Sequence, residues 1–231
     1  MRNWLHDQRI FWRQFRTNFH TTGALMPSGR ALGKALCRYV HGGNSGKNAA
    51  DGAGSTARTR RILEVGPGTG AVTSQLVTMI QPDDSLDLVE LNSEFVARLQ
   101  QRFAAEPRFQ RVADRTRVLH QPVEQLSPDE PYDLIISGLP LNNFSVELVE
   151  HLLATFVRLG RPGGMLSFFE YIAVRPARAM VSHSAERERL RGIGRALGEV
   201  LKPHEIHRDW VWPNIPPAWV HHVRIPERRE A

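Results

Sequence analysis

The chain has 231 residues, 41% of them hydrophobic, which is enough for one α/β domain with a full core and an appendage. Its single cysteine, Cys37, excludes a disulfide framework and a thiolate metal site. The sequence contains no run of about 20 apolar residues, so no bilayer-spanning segment is predicted. The net charge of +6 is uneven, with +6 over residues 1–40, −4 over residues 41–170 and +4 over residues 171–231. Two basic ends predict an anionic partner surface, either lipid or nucleic acid.

Residues 2–19 predict an amphipathic helix with an aromatic face. At about 100° per residue, the aromatic side chains fall within an arc of roughly 120°, with arginines on one flank. This pattern is typical of a helix in the lipid headgroup region, although packing on the domain and stacking on nucleic-acid bases are alternatives. We predict contact with an anionic membrane surface through Trp4, Phe11, Trp12 and Phe15 with Arg9, Arg13 and Arg16. The expected location is cytoplasmic, peripherally associated with the inner face of the cell membrane.

The chain changes composition after this segment. Ser28 is predicted to cap a second helix that runs to Val40. Residues 41–59 are rich in Gly, Ala, Asn and Ser, which predicts a flexible linker. The predicted organisation is an N-terminal amphipathic helical extension over residues 1–40, the linker over 41–59 and an α/β domain over 60–231.

A glycine-rich turn opens the α/β domain. The predicted elements are the strand Ile62–Val65, the turn Gly66–Gly70, the helix Ala71–Ile80 and the strand Ser85–Leu91. This layout brings backbone close to a nucleotide-like ligand, although it also occurs as a tight turn with no ligand. Glu90, 20 residues after Gly70, is placed at the tip of the second strand, where a carboxylate accepts hydrogen bonds from a ribose diol.

The remaining pattern predicts five more strands separated by helices or turns. Ser93 and Ser145 are predicted helix caps, and Arg161–Gly164 is a predicted turn. The strands are Thr116–His120, Tyr132–Ser137, Met165–Glu170, Glu205–Trp212 and Trp219–Arg224, the last two forming an antiparallel pair. Five histidines, His183, His204, His207, His221 and His222, show no metal-ligand spacing, so no metal site is predicted.

The sequence pattern E-x-G-x-G-x-G at Glu64–Gly70 resembles motif I of the class I methyltransferases that use S-adenosylmethionine. The resemblance implies a Rossmann-like sheet of seven strands, with strand seven antiparallel, and S-adenosyl-L-methionine as cofactor. It implies that the glycine loop holds the amino-acid end of the cofactor and Glu90 the ribose. Pro122 stands where many members have the acid that binds adenine, and Glu124 is either its substitute or a solvated helix start. The predicted cofactor-binding residues are Glu64, Gly66, Gly68, Gly70, Glu90, Leu91, Glu124, Ser137 and Gly138.

Over most of its length the chain resembles the bacterial phospholipid N-methyltransferases. The resemblance rests on an aromatic and basic N-terminus leading to TGALMPSGRAL, and on LEVGPGTGAVT, SGLPLNNF and WPNIPPAWV. It implies methyl transfer to the headgroup amine of phosphatidylethanolamine, stepwise toward phosphatidylcholine, or of ornithine lipid, on which close relatives act. A membrane lipid is therefore the expected substrate, with no obligate protein partner evident.

Methylation of a headgroup ammonium requires that it first lose a proton, to a side chain or to water. Tyr39, Asp133, Glu170 and Tyr171 are candidate acceptors by placement alone, with a structural role as the alternative for each. Asn142, beside the turn after the fourth strand, is placed to orient the amine through its carbonyl. The predicted catalytic residues are Tyr39, Asn142 and Tyr171.

Two other functions are compatible with part of this pattern. RNA adenine dimethyltransferases share the EVGPGTG wording but need an N-P-P-Y or N-L-P-Y loop after strand four, whose aromatic ring stacks on the flipped base. Here Gly138 replaces the asparagine and Leu141 the aromatic, so no nucleic-acid partner is expected. A non-catalytic membrane-binding module is disfavoured because Glu64, the glycines and Glu90 are intact.

Overall fold

Seven strands of the described chain form one mixed sheet in the order β3-β2-β1-β4-β5-β7-β6. The computed structural model describes residues 27–40, 59–127, 129–172, 184–212 and 217–227. The strands are β1 Arg61–Val65, β2 Ser85–Glu90, β3 Thr116–His120, β4 Tyr132–Ser137, β5 Gly160–Tyr171, β6 Glu205–Val211 and β7 Ala218–Arg224. The first five in spatial order are parallel, and β7 is antiparallel to both neighbours. The predicted seven-stranded α/β sheet with an antiparallel strand seven is confirmed.

Helices cover both faces of this sheet. They are α1 Pro27–Leu36, α2 Thr73–Met79, α3 Ser93–Ala105, α4 Pro107–Gln110, α5 Val146–Leu159 and α6 Ser184–His204. One face packs against α1 to α4 through residues such as Leu76 and Leu99, and the other against α5 and α6 through Phe156 and Ile193. Because the central strands β1 and β4 are buried on both faces, they are mostly apolar, with Glu64 as the buried exception in β1. Of the helices described, none combines the length and hydrophobicity needed to cross a bilayer.

The helix α1, part of the predicted N-terminal extension, packs directly on the sheet. Leu36, Cys37 and Val40 are buried in the core shared with β1, β2 and β4. The guanidinium of Arg60 binds the Val40 carbonyl oxygen at 2.7 Å and Asp84 at 2.9 Å, which fastens the end of this segment to the start of β1. Residues 1–26 and 41–58, which include the predicted aromatic helix and nearly all of the predicted linker 41–59, lie outside the described residues.

Several predicted boundaries were wrong: α1 ends at Leu36 and not at Val40, and α2 spans Thr73–Met79 and not Ala71–Ile80. The helix α1 begins at Pro27, not Ser28, since proline suits the first helical turn. Asn92, not Ser93, caps α3, because its Oδ1 accepts the backbone N–H of Glu94 at 2.9 Å, whereas Ser145 caps α5 as predicted. Arg161–Gly164 is not a separate turn but a bulge within β5, opposite the register shift between Tyr132 and Leu134.

Both histidines of β7 are core residues. His222 is fully buried, with Nδ1 2.8 Å from Ser167 Oγ and Nε2 3.1 Å from Asp209 Oδ2. Burial lowers the pKa of His222 to about 4, and its bond to Asp209 only partly opposes this. His221 is buried on the other face of the strand and bonds to Glu205 at 2.7 Å.

Candidate active site

The carboxyl ends of the parallel strands meet at one edge of the sheet, and the glycine loop lies there. The Gly66 N–H donates to the Val89 carbonyl at 3.0 Å, and the Gly138 N–H donates to the Val65 carbonyl at 2.8 Å. The turn after β1 is thus tied to both neighbouring strands. In open parallel sheets this edge is where ligands bind.

The glycines of this loop are needed for two different reasons. A Cβ at Gly138 would lie 2.7 Å from the Gly66 carbonyl oxygen, and a Cβ at Gly66 would collide with the Leu139 side chain, so close packing requires both. Gly68 has a φ of +56°, yet a Cβ there would meet no atom within 4 Å. The open space beside Gly68 is therefore a cradle that a side chain would enter, which fits a bound ligand.

Glu90 is buried and holds the glycine loop in place. Its carboxylate accepts backbone N–H groups from Leu91 and Asn92 at 2.9 Å each and from Gly68 at 3.0 Å. Burial raises the pKa of Glu90, and the three donors oppose that shift by stabilising the ionised form. The residue predicted to bind the ribose thus also positions the loop, a role that the motif alone did not indicate.

Glu64 is fully buried, with one oxygen satisfied and one not. Thr73 Oγ1 donates to Oε2 at 2.8 Å, while Oε1 has no hydrogen-bond partner among the described residues. Burial raises the pKa of Glu64 to about 8. An unmatched buried carboxylate oxygen is costly, and a cationic ligand group beside it would offset that cost. The site therefore suits the ammonium of an amino-acid moiety.

Arg102 was missed by sequence reasoning. Its Nη1 donates to the carbonyl oxygens of Thr69 and Gly70 at 2.9 Å each, and its Nη2 to Ser74 Oγ at 2.9 Å. The guanidinium also stacks 4.2 Å from the ring centroid of Phe109. The sequence shows that Arg102 is a basic residue in the last turn of α3. It does not indicate that the side chain contacts a loop 32 residues earlier in the chain.

A cleft with mostly apolar walls opens between the glycine loop and α5. It brings together four of the predicted cofactor-binding residues, Gly66, Glu90, Leu91 and Glu124. Its other walls are Val65, Val89, Gln121, Val123, Leu139, Phe144, Leu148 and Leu152. Apolar walls with a few polar groups are typical of sites that bind aromatic ligands such as adenine.

The Glu124 carbonyl accepts a hydrogen bond from Arg158 at 3.0 Å, which fixes the backbone there. Ser137, at the end of β4, is buried and its Oγ accepts the Leu139 N–H at 3.3 Å.

The structure brings together two of the three predicted catalytic residues. The Asn142 side-chain amide donates to the Tyr171 carbonyl at 3.2 Å, joining the β4–α5 loop to the end of β5. Tyr39 instead contacts His222, with ring centroids 4.9 Å apart. His222 pairs with Ser167, four residues before Tyr171, which is about 13 Å along the strand. Tyr39 is therefore set back from the Asn142–Tyr171 pair.

Asp133, a predicted candidate for the proton acceptor, does not belong to this edge of the sheet. It accepts the backbone N–H of Arg61 at 2.9 Å and pairs with Arg161 at 2.9 Å. These partners lie at the amino ends of β1 and β5, the opposite side of the sheet. Glu170 remains beside Tyr171, with its Oε1 3.7 Å from Nε2 of His221.

Comparison with known proteins relates this chain to methyltransferases. A family model described as a methyltransferase domain matches residues 62–164. The chain is 30% identical over 160 residues to an ornithine lipid N-methyltransferase of Singulisphaera acidiphila, covering 69% of this chain and 76% of the relative. It is 61% identical to a ribosomal RNA small subunit methyltransferase A of a Synechococcus strain, but over only 49 residues, which span 17% of that relative.

Solved structures show the same fold. A putative O-methyltransferase from Klebsiella pneumoniae superimposes with a TM-score of 0.61 at 17% identity, covering 97% of this chain and 96% of the other. The N-methyltransferase NodS from Bradyrhizobium japonicum, in complex with S-adenosyl-L-homocysteine, gives 0.57 at 18% identity, covering 88% and 90%.

The predicted cofactor is confirmed by these comparisons, and the site fits it. TomG from Streptomyces achromogenes, another structural neighbour, holds S-adenosylmethionine itself. In this chain the open cradle at Gly68, the unmatched oxygen of Glu64 and the apolar cleft beside Glu90 match the chemistry of that molecule. By its sheet order, its glycine loop and its relatives, the chain belongs to the class I S-adenosylmethionine-dependent methyltransferases.

Proposed function

We propose that this methyltransferase transfers methyl groups to the headgroup amine of a membrane aminolipid, either ornithine lipid or phosphatidylethanolamine toward phosphatidylcholine. The observation that carries the proposal is the similarity to the ornithine lipid N-methyltransferase, which extends over 76% of that relative. Matches of higher identity to ribosomal RNA methyltransferases, such as 61% over 49 residues and 37% over 103 residues, span only 17% and 31% of those relatives. Similarity across most of the fold is better support for a shared acceptor than similarity over a short segment.

The loop after β4 supports an aliphatic amine over an RNA base. A flipped adenine needs an exposed aromatic ring on which to stack. Leu141 is aliphatic and fully buried, and Phe144, the ring of this loop, is only 2% exposed and belongs to the core. RNA methylation is the second candidate function, and the packing of this loop disfavours it.

The bound cofactor supplies an electrophilic methyl group on a sulfonium sulfur. The chain's own residues must present a neutral amine to it in line and remove the amine's proton. The contact between Asn142 and the Tyr171 carbonyl sets the orientation of the Asn142 amide at the end of the sheet. Burial raises the pKa of Tyr171, so its hydroxyl stays protonated at neutral pH and serves as a hydrogen-bond partner, not as a base. Glu170 and solvent then remain as proton acceptors.

Membrane association belongs to the same proposal. A lipid acceptor has to be met at a bilayer, and the aromatic and basic residues 2–19 would supply contact with an anionic leaflet at the inner face of the cell membrane. These residues lie outside the described part of the chain, so their role stays a prediction.

The proposal is tested with purified protein, methyl-labelled cofactor and vesicles that contain both phosphatidylethanolamine and ornithine lipid. Thin-layer separation of the extracted lipids should show label in one of the two lipids, and much less label with a Gly68→Ala variant at limiting cofactor concentration. Total RNA incubated in parallel should stay unlabelled. Label in RNA with none in lipid would replace this proposal with the second candidate.

A further inference from the structure

Two tryptophan side chains are exposed at the end of the edge strand β6. Trp210 is 58% exposed and Trp212 is 67% exposed, although tryptophan is largely buried in most proteins. The ring of Trp210 lies 5.2 Å from that of Trp212 and 4.9 Å from that of Trp219 on β7. The Arg208 guanidinium lies 5.4 Å from the Trp219 ring centroid. We call Trp210, Trp212 and Trp219 the tryptophan patch.

The patch lies at the edge of the sheet that carries the active site. Because β6 and β5 are both antiparallel to β7, β6 runs in the same direction as β5 and ends at the same edge. Trp210 pairs with Trp219, and Trp219 pairs with Glu170. Tyr171 is therefore level with the patch and two strand spacings, about 10 Å, from β6.

If the methyl acceptor is a membrane lipid, the position of the tryptophan patch at this edge of the sheet would bring it to the bilayer surface. The headgroup amine is joined to acyl chains that stay in the bilayer, so the bilayer surface must come close to the edge where the methyl donor binds. Any large apolar surface at that edge then meets the headgroup region as well. Indole rings favour this region because they combine an apolar body with one N–H donor.

The charge near the tryptophan patch and the exposure of its rings also favour an anionic lipid bilayer as the partner. The chain carries a net charge of +6, and Arg208 places a cation beside the patch, both of which complement an anionic leaflet. Exposed aromatic patches on soluble domains mark interaction sites. We infer that the tryptophan patch inserts into the headgroup region of the bilayer and so orients the carboxyl edge of the sheet toward the lipid substrate. This inference rests on the proposed lipid-methylating function.

The test compares the wild-type protein with a Trp210→Thr/Trp212→Thr double variant, since threonine keeps the preference for a strand. Binding is measured by sedimentation with vesicles of phosphatidylethanolamine, ornithine lipid and phosphatidylglycerol, and activity by label entering the vesicle lipid. We expect the double variant to bind vesicles at least tenfold more weakly and to methylate lipid correspondingly less at limiting vesicle concentration. Its affinity for S-adenosyl-L-homocysteine, measured by calorimetry, should be unchanged.

The chain offers a matched control on the same strand. Ile206 is 42% exposed and lies at the amino end of β6, about 13–20 Å from the two tryptophans. Ile206→Thr should therefore leave vesicle binding unchanged. Trp212→Thr alone, which leaves the Trp210–Trp219 contact intact, should weaken binding at least threefold even if the double variant folds poorly.

The outcomes separate this inference from the proposed function. If the wild-type protein labels lipid and both tryptophan variants bind and methylate like Ile206→Thr, only the role of the patch is overturned. If the wild-type protein labels no lipid, the proposed function fails. Should the wild-type protein be a dimer that the double variant abolishes, with vesicle binding intact, the patch is a contact between copies of this chain.

Discussion

Substitution of Gly68 by alanine separates the conformational role of a glycine from its role as a ligand cradle. Gly68 and Gly163 both have a left-handed backbone, with φ of +56° and +75°, and a Cβ at either would meet no atom within 4 Å. The stability cost of either alanine is therefore only that of the backbone conformation, about 1–2 kcal/mol. For a chain of 231 residues this lowers Tm by roughly 2–8 °C.

Cofactor affinity should distinguish the two variants. Gly68 lies in the loop after β1, and Gly163 lies in the bulge at the amino end of β5, on the opposite side of the sheet. A methyl group forced into an occupied site costs about 1–3 kcal/mol, which corresponds to a roughly 5–150-fold higher Kd. We expect this loss for Gly68→Ala and no loss for Gly163→Ala.

The assay is calorimetric titration with S-adenosyl-L-homocysteine, run beside thermal unfolding of both variants. The similar strain at the two positions makes Gly163→Ala the control for any general loss of structure. If Gly68→Ala binds within twofold of Gly163→Ala, the open space beside Gly68 is not where the cofactor lies.

Three further predictions follow from the geometry of the site and core. Arg102→Met should weaken cofactor binding about tenfold because the two loop carbonyls lose their hydrogen bonds from the charged guanidinium, whereas Arg108→Met, which also removes an arginine from the ring of Phe109, should not. Burial raises the pKa of Glu64 from 4.5 to about 8, so its contribution to stability is complete below pH 4.5 and is lost as pH rises through 8. Glu64→Gln should therefore gain in Tm relative to wild type between pH 5 and pH 8.5. Burial lowers the pKa of His222 from 6.5 to about 4, so stability is complete above pH 6.5 and falls by about 3 kcal/mol as pH drops to 4, a loss that urea unfolding should show to be smaller in His222→Gln.

Each of these predictions has a result that would contradict it. Equal cofactor affinities for Arg102→Met and Arg108→Met would mean that the loop holds its shape without the Arg102 guanidinium. A constant Tm difference between Glu64→Gln and wild type across the pH range would mean that Glu64 is not buried as described. Equal acid sensitivity in His222→Gln and wild type would assign the loss to other groups.

The order of elements was predictable because it is encoded locally. Short, mostly apolar and branched runs such as Ile62–Val65 and Leu134–Ile136 favour strands buried on both faces, and the glycines between β1 and α2 permit the positive φ that the turn requires. The boundaries were less predictable where neighbours compete. Asn92 and Ser93 both suit a helix cap, and the carboxylate of Glu90, by holding the Asn92 N–H, favours the first.

The site was predictable as a motif but not as a set of contacts. The sequence by itself determined that glycines and Glu90 follow adjacent strands, and parallel strands bring such residues to one edge. Only the tertiary structure decided that Glu90 binds Gly68, that Arg102 reaches the same loop from α3, and that Asp133 lies at the opposite edge. Each of these contacts joins residues more than 20 positions apart, so it depends on strand register and helix orientation, which packing of the whole core sets and no local pattern encodes.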